Sequence, residues 1–171
     1  MITFLKAYIE WWRQRFVLAL TLKFFAGVLV GFALGVYFLP IIVADAPVDQ
    51  QVIKAAAAQA SYKAEFTRDL PGSDFAHWGE GTLYLAPGQV SLDGEVSPGP
   101  DYRLYLTPRY VETEAEFLAI KDQSKEITRI MGFKNFSYPV DENLDLSGYD
   151  SVIIWCERFS QFITSGRLVQ G

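Results

Sequence analysis

The apolar and polar positions divide the chain into three stretches of different character. Residues 24–44, "FFAGVLVGFALGVYFLPIIVA", run for 21 positions without a charged side chain. A helix of that length reaches about 31 Å, which matches a hydrocarbon core of about 30 Å, so the pattern predicts a transmembrane helix. From Val48 to about Phe66, "VDQQVIKAAAAQASYKAEF" is rich in strong helix formers and predicts a helical stalk, closed by the turn residues "RDLPGSD" at 68–74.

After Phe75 the pattern shortens to β-prone runs broken by glycine and proline: "GTLYLA" (81–86), "QVSLDG" (89–94), "YRLYLT" (102–107), "EITRIM" (126–131), "NFSYPV" (135–140), "SVIIWC" (151–156) and "QFITSGRLV" (161–169). Short strands spaced by turns predict a mainly β fold, an antiparallel β-sandwich or barrel-like domain, preceded by the transmembrane helix and the short helical stalk. "ETEAEFLAIK" (112–121) reads as a short helix between strands. The organisation expected is a cytoplasmic or interfacial segment at 1–23, a membrane helix at 24–44, a stalk and linker at 45–74 and a β domain at 75–171.

Alternation within the strands assigns faces. In "YRLYLT" Tyr102, Leu104 and Leu106 form one inward set, with Arg103, Tyr105 and Thr107 opposite. In "SVIIWCERF" Val152, Ile154 and Cys156 oppose Ile153, Trp155 and Glu157, and both faces begin apolar, as expected of a central strand. Cys156 falls on the more aliphatic face, and Arg158 would share that face if the strand stayed regular.

Charge sets the orientation. Lys6, Arg13, Arg15 and Lys23 precede the apolar run against a single Glu10, and Asp45 and Asp49 follow it. The positive-inside bias places the N-terminus in the cytoplasm and the C-terminal domain outside it, in the periplasm or at the cell surface. The net charge of −5 divides into +3 up to Ala44 and −8 from Asp45 onward. An acidic domain repels the phosphate backbone, so no nucleic-acid partner is expected. A cleaved signal sequence is the rival reading, with "ADA" at 44–46 as its cleavage site. The apolar stretch exceeds a signal core, 23 residues precede it, and Pro47 lacks the amide a protease would engage, all of which favour an uncleaved anchor.

Tyr8, Trp11 and Trp12 lie among basic residues before the span and suit the membrane interface, where they extend and anchor it. Gly27, Gly31 and Gly35 recur on one helix face, where they either allow a second helix to approach, giving a homodimer, or reflect the general abundance of glycine in membrane helices.

The candidate chemistry is sparse. Cys156 is the single cysteine, so no internal disulfide exists, and it is either a reactive thiol or a small apolar filler. Arg158 would favour its thiolate and an aliphatic environment would oppose it. His77, the single histidine, precedes the first β run in "FAHWGEG" and is a candidate base or ligand. There is no C-x-x-C for a redox pair or zinc knuckle, no C-x-x-C-H for covalent haem and no glycine-rich phosphate loop. "DENLDLSGYD" (141–150) alternates Asp141, Asn143 and Asp145 like the start of a calcium loop, but Leu146 stands where that loop needs glycine and Val152 where it needs glutamate. It reads as a solvated turn, and no metal site is expected.

Together, His77 with Gly81 and "TLYL", "GPDYRLYLT" (99–107), "NFSYPV" (135–140) and "YDSVIIWCERFSQFITSGRL" (149–168) resemble the DM13 domain, a small β-rich extracellular module, over roughly residues 75–169. The resemblance implies that Cys156 is the family's hallmark cysteine. Such a cysteine is expected to act in electron transfer or oxidative modification of surface proteins, as a naked thiol or by holding a prosthetic group such as haem, with His77 a candidate second ligand or base. The function expected is a membrane-tethered extracytoplasmic redox module with an envelope or redox partner. The alternative is a non-catalytic envelope binding or assembly module in which Cys156 is core packing.

Overall fold

The computed structural model describes residues 2–171, which separate into two compact units, one ending at Leu39 and one running from Pro40 to Gly171. Helix α1 (Ile2–Ile42) takes in the apolar run as far as Ile42, two residues short of its expected end, and the basic, aromatic segment before it, and one side chain after another along it is exposed, Phe24, Leu29 and Phe32 among them. It is long and apolar enough to cross a membrane.

In the second unit the predicted stalk is shorter than its sequence suggested and is not free. Helix α2 (Gln50–Gln59) is capped by the Asp49 carboxylate, which accepts the Gln51 amide at 2.7 Å, and it ends before Ala60. Its Ile53 and Ala56 are buried against the sheet, and the remainder of the expected helix, Tyr62–Phe66, is strand β1. The alternation of apolar Ala64 and Phe66 with polar Lys63 and Glu65 fits a half-buried strand, and burying that face outweighs the local helix preference of "YKAEF".

The strands that follow are β2 (Gly79–Ala86), β3 (Gln89–Val96), β4 (Tyr102–Thr107), β5 (Lys125–Ile130), β6 (Ser137–Pro139), β7 (Ser151–Cys156), β8 (Gln161–Arg167) and β9 (Val169–Gln170), with helix α3 (Glu114–Leu118) between β4 and β5. Among the described residues they form two antiparallel sheets, ordered β6-β3-β2-β1-β9 and β5-β4-β7-β8. The expected final run at 161–169 divides: after Arg167 the chain leaves β8, and Val169 and Gln170 pair with β1 in the other sheet.

The main core lies between the sheets and contains Leu83, Leu92, Tyr102, Leu104, Leu106, Val152, Ile154 and Cys156. Each fully buried aliphatic side chain there contributes about 1.5–3 kcal/mol. A second cluster covers the other face of the β4–β7–β8 sheet, where Tyr105, Ile153, Trp155 and Phe162 meet Phe117 and Ile120 from the α3 region and Leu70. Strand β7 is therefore buried on both faces, the arrangement its two apolar sets predicted, and α3 supplies the cover for the second.

Two glycines let strands β2 and β3 meet closely. Gly81 (φ +119) and Gly94 (φ +154) are partners across the ladder, and a Cβ on Gly81 would stand 2.2 Å from the Asp93 carbonyl oxygen. Only glycine tolerates that separation and that backbone.

Candidate functional site

Cys156 is the last residue of β7 and is paired with Tyr102 of β4 on one side and Gln161 of β8 on the other. Its side chain is 2% exposed and lies in the inter-sheet core with Val152 and Ile154. The strand does not continue regularly beyond it. Residues 157–160 turn, Ser160 adopts φ 49, and Arg158 is exposed, so its guanidinium does not share the face of Cys156 as a regular strand would require.

That turn brings backbone donors to the sulfur. Burial raises the hold of the Cys156 thiol on its proton, and the backbone N–H groups of Phe159, Asp101 and Arg158 act against this by favouring the thiolate. Burial prevails, and the thiol titrates above its ordinary range. Asp101 belongs to the loop entering β4, where its carbonyl also accepts the Glu157 amide at 2.9 Å, tying this loop to the turn after Cys156. Cys156 thus sits at the junction of two backbone segments.

Tyr102 is a titratable cross-strand neighbour of Cys156. Burial raises its phenol well above the usual value, a hydrogen bond with the Ser97 hydroxyl at 3.4 Å lowers it, and the adjacent Cys156 raises it further. Gly99 lies against the ring, and Phe133 meets it edge-on with centroids 5.9 Å apart. Ser97 is joined to Trp78 twice, its hydroxyl accepting the Trp78 amide and its amide donating to the Trp78 carbonyl.

His77 sits in the loop that delivers Trp78. One carboxylate oxygen of Asp74 accepts the backbone N–H groups of Ala76 and His77 at 2.7 and 2.8 Å, and the His77 ring Nδ1 lies 3.0 Å from the other. The His77 ring first, then these amides, hold the Asp74 carboxyl below its ordinary range. The loop is anchored by Arg68, whose guanidinium stacks 3.3 Å from the Trp78 ring centroid and pairs with Glu80 and Glu95. The structure brings His77 to Asp74, and no hydrogen bond joins it to Cys156 among the described residues.

On the opposite face, the residue after Cys156 closes a polar network over the second cluster. Glu157 accepts from the Tyr105 hydroxyl and from Lys121 Nζ at 2.7 Å, and Glu126 links Tyr105 to Arg103. Burial raises the Glu157 carboxyl, but the Lys121 and Tyr105 hydrogen bonds outweigh it, leaving the group below its ordinary range. Beneath the network the Trp155 indole N–H is buried with no acceptor among the described residues.

The surroundings of Cys156 do not fit a haem. Two cavities in this unit measure about 140 and 80 Å³, and neither is lined by Cys156 or His77. Sites for such groups occupy roughly 300–1,000 Å³, and the sulfur is closed over by its own strand neighbours. The acidic stretch 141–150 forms turns in which Asp141 and Asp145 accept the amides of Asn143 and Ser147, while Leu144, Leu146 and Tyr149 pack partly on the core.

Reading the residues alone missed Asp101, Asp74 and the Tyr105–Glu157–Lys121 group as neighbours of the site. "DYRLYLT" announced the strand, but no sequence signal showed that the backbone at its entrance meets the end of β7. A family model described as electron transfer DM13 matches residues 66–168. Neither the curated proteins nor the solved structures provided a match.

Proposed function

The chain belongs to the DM13 family, and from that premise we propose that it is a membrane-tethered electron-transfer module whose redox atom is the sulfur of Cys156. In this reading residues 24–44 cross the bilayer, residues 1–23 lie on the cytoplasmic side, and the β domain stands outside the cytoplasm, as the charge distribution favours. Gly27, Gly31 and Gly35, where an added Cβ would meet nothing within 4 Å, are the surface on which a second copy would pair.

The observation that supports the reading is the match of the electron transfer DM13 model to residues 66–168, which takes in Cys156 at the end of β7, beside a turn whose amides favour the thiolate against burial. Burial keeps the thiol protonated at rest, and the amides lower the cost of the thiolate, the species through which a thiol is oxidised. The sulfur acts as a naked thiol in this scheme, since Cys156 is 2% exposed within the core and lines neither cavity described above.

A second reading, a binding or assembly module with Cys156 as packing, is favoured by the 2% exposure of that residue within an apolar cluster. Voltammetry and folded-state alkylation of the native protein beside Cys156→Ser and Cys156→Ala separate the two. The redox reading expects a reversible signal in the native protein that both variants lack while keeping native circular dichroism. A thiol inert to oxidant and alkylating agent until denaturation would establish the packing reading instead.

A further inference from the structure

The end of the β domain that carries Cys156 is also the end at which the chain enters it. Ile130, Tyr102 and Cys156 stand in one row across β5, β4 and β7. At roughly 4.8 Å per strand, Cys156 is about 10 Å from Ile130 along that row. Ile130 in turn lines a small cavity with Pro40, Val43, Gly99, Pro100 and Met131, and the Asp45 amide donates to the Met131 carbonyl at 3.2 Å. The first residues of this unit therefore lie beside the row that ends in the cysteine.

The exposed apolar side chains at this end form a pattern. From residue 44 onward the exposed aromatic residues are Phe75, 97% exposed, and Phe159, 56% exposed. Phe159 is in the turn that follows Cys156. Phe75 is in the loop joining the end of β1 to the start of β2, which the Ser97–Trp78 hydrogen bonds tie to the loop entering β4. Met131, 44% exposed, follows the last residue of β5. Arg129, exposed although paired with Asp101 at 3.5 Å, and Arg158, exposed, adjoin these groups along the chain. Apolar rings and arginines on the loops of one end are the composition that settles at a lipid interface, rings in the acyl boundary and guanidinium groups among headgroup phosphates.

We propose that this end of the domain docks on the bilayer surface, with Phe159, Phe75 and Met131 entering the interface, so that Cys156 meets its redox partner at the membrane. The docking rests on the reading of α1 as a membrane span. It restricts the partner to one held in or on the lipid, because the turn over the sulfur then faces the bilayer.

Site-directed spin labelling of the full chain in phosphatidylcholine–phosphatidylglycerol vesicles tests this. In a Cys156→Ala background, nitroxides placed by Phe159→Cys, Met131→Cys, Glu142→Cys and Leu29→Cys report collision with oxygen, which partitions into lipid, and with a water-soluble nickel chelate. Glu142 is exposed beside the β2–β3 turn at the opposite end and is the aqueous reference, whereas Leu29 reports on the span. The expected result is an oxygen-to-nickel ratio several-fold higher at positions 159 and 131 than at 142, below that at 29. Labels at 159 and 131 as nickel-accessible as that at 142, with 29 shielded, overturn the docking and leave the span standing. A nickel-accessible label at 29 overturns both. If Cys156→Ala does not fold, hydroxyl-radical footprinting of the unaltered protein in the same vesicles decides the matter: protection of Phe159 and Met131 relative to Val169 supports docking, and equal modification overturns it.

Discussion

Tyr102, the first residue of β4, and Cys156, the last of β7, are direct cross-strand partners, and the sulfur strengthens the phenol's hold on its proton. Both groups are buried, and both are reached by polar atoms from loops rather than from strands: Ser97 for the phenol, the amides of Asp101, Arg158 and Phe159 for the thiol. A charge on either member of the pair therefore has to be supported by these loops.

The Cys156 thiol titrates above its ordinary range because burial outweighs the three amides. The rate of maleimide labelling of the folded protein is expected to rise with an inflection at higher pH than in the urea-unfolded chain. The same shift contributes stability that is fully present below the unfolded thiol pKa and is lost as pH rises through the folded one. Cys156→Ala removes this alkaline dependence at a cost of about 1 kcal/mol in urea unfolding. A folded-state inflection at or below the unfolded one shows that the amides prevail.

Glu157→Ala leaves the Tyr105 hydroxyl and the Lys121 ammonium without their shared acceptor. Chemical denaturation is expected to show a loss of about 1–3 kcal/mol, with Glu157→Gln losing less because it still accepts from Tyr105. The Glu157 carboxyl lies below its ordinary range, so its contribution is present above the unfolded carboxylate pKa and disappears as pH falls through the folded value. The alanine variant should therefore approach native stability in acid, and an unchanged gap at low pH contradicts this origin.

Asp74 organises the loop bearing His77 through two backbone amides and the imidazole. Asp74→Ala is expected to speed amide hydrogen exchange at Ala76 and His77, whereas Asp74→Asn, whose carbonyl can still accept both amides, changes it less. The Asp74 carboxyl is held down by its partners, so in the native protein this protection is present above the usual carboxylate range and is lost as pH falls. Equal exchange in both variants would place the loop's order elsewhere, in the Arg68–Trp78 stack.

Gly81→Ala forces a Cβ onto the Asp93 carbonyl at a backbone angle that L side chains rarely adopt. The expected loss is roughly 2–3 kcal/mol in thermal or urea unfolding. Gly148→Ala, also at positive φ but with open space around it, isolates the backbone component and should cost less.

The strands, the long apolar helix and the faces of β4 and β7 were legible because each is written in local periodicity. "YRLYLT" and "SVIIWC" coincide with β4 and β7, and the Val152–Ile154–Cys156 set enters the inter-sheet core as the alternation required. "YKAEF" was misassigned to a helix because its propensity is weak and its neighbours decide. The run at 161–169 divides because the change of sheet after Arg167 leaves no trace in local pattern.

By itself the sequence determined a long apolar helix, an acidic β-rich domain and a cysteine turned inward, since length, charge and alternation act over a few residues. Only the tertiary structure decided what surrounds that cysteine. Arg158 contributes a backbone amide instead of a guanidinium because β7 ends at Cys156, and Asp101, 55 positions earlier, reaches the same sulfur because β4 pairs with β7. The chemistry of the thiol follows from strand register and a turn, which bring distant backbone together and which no local pattern encodes.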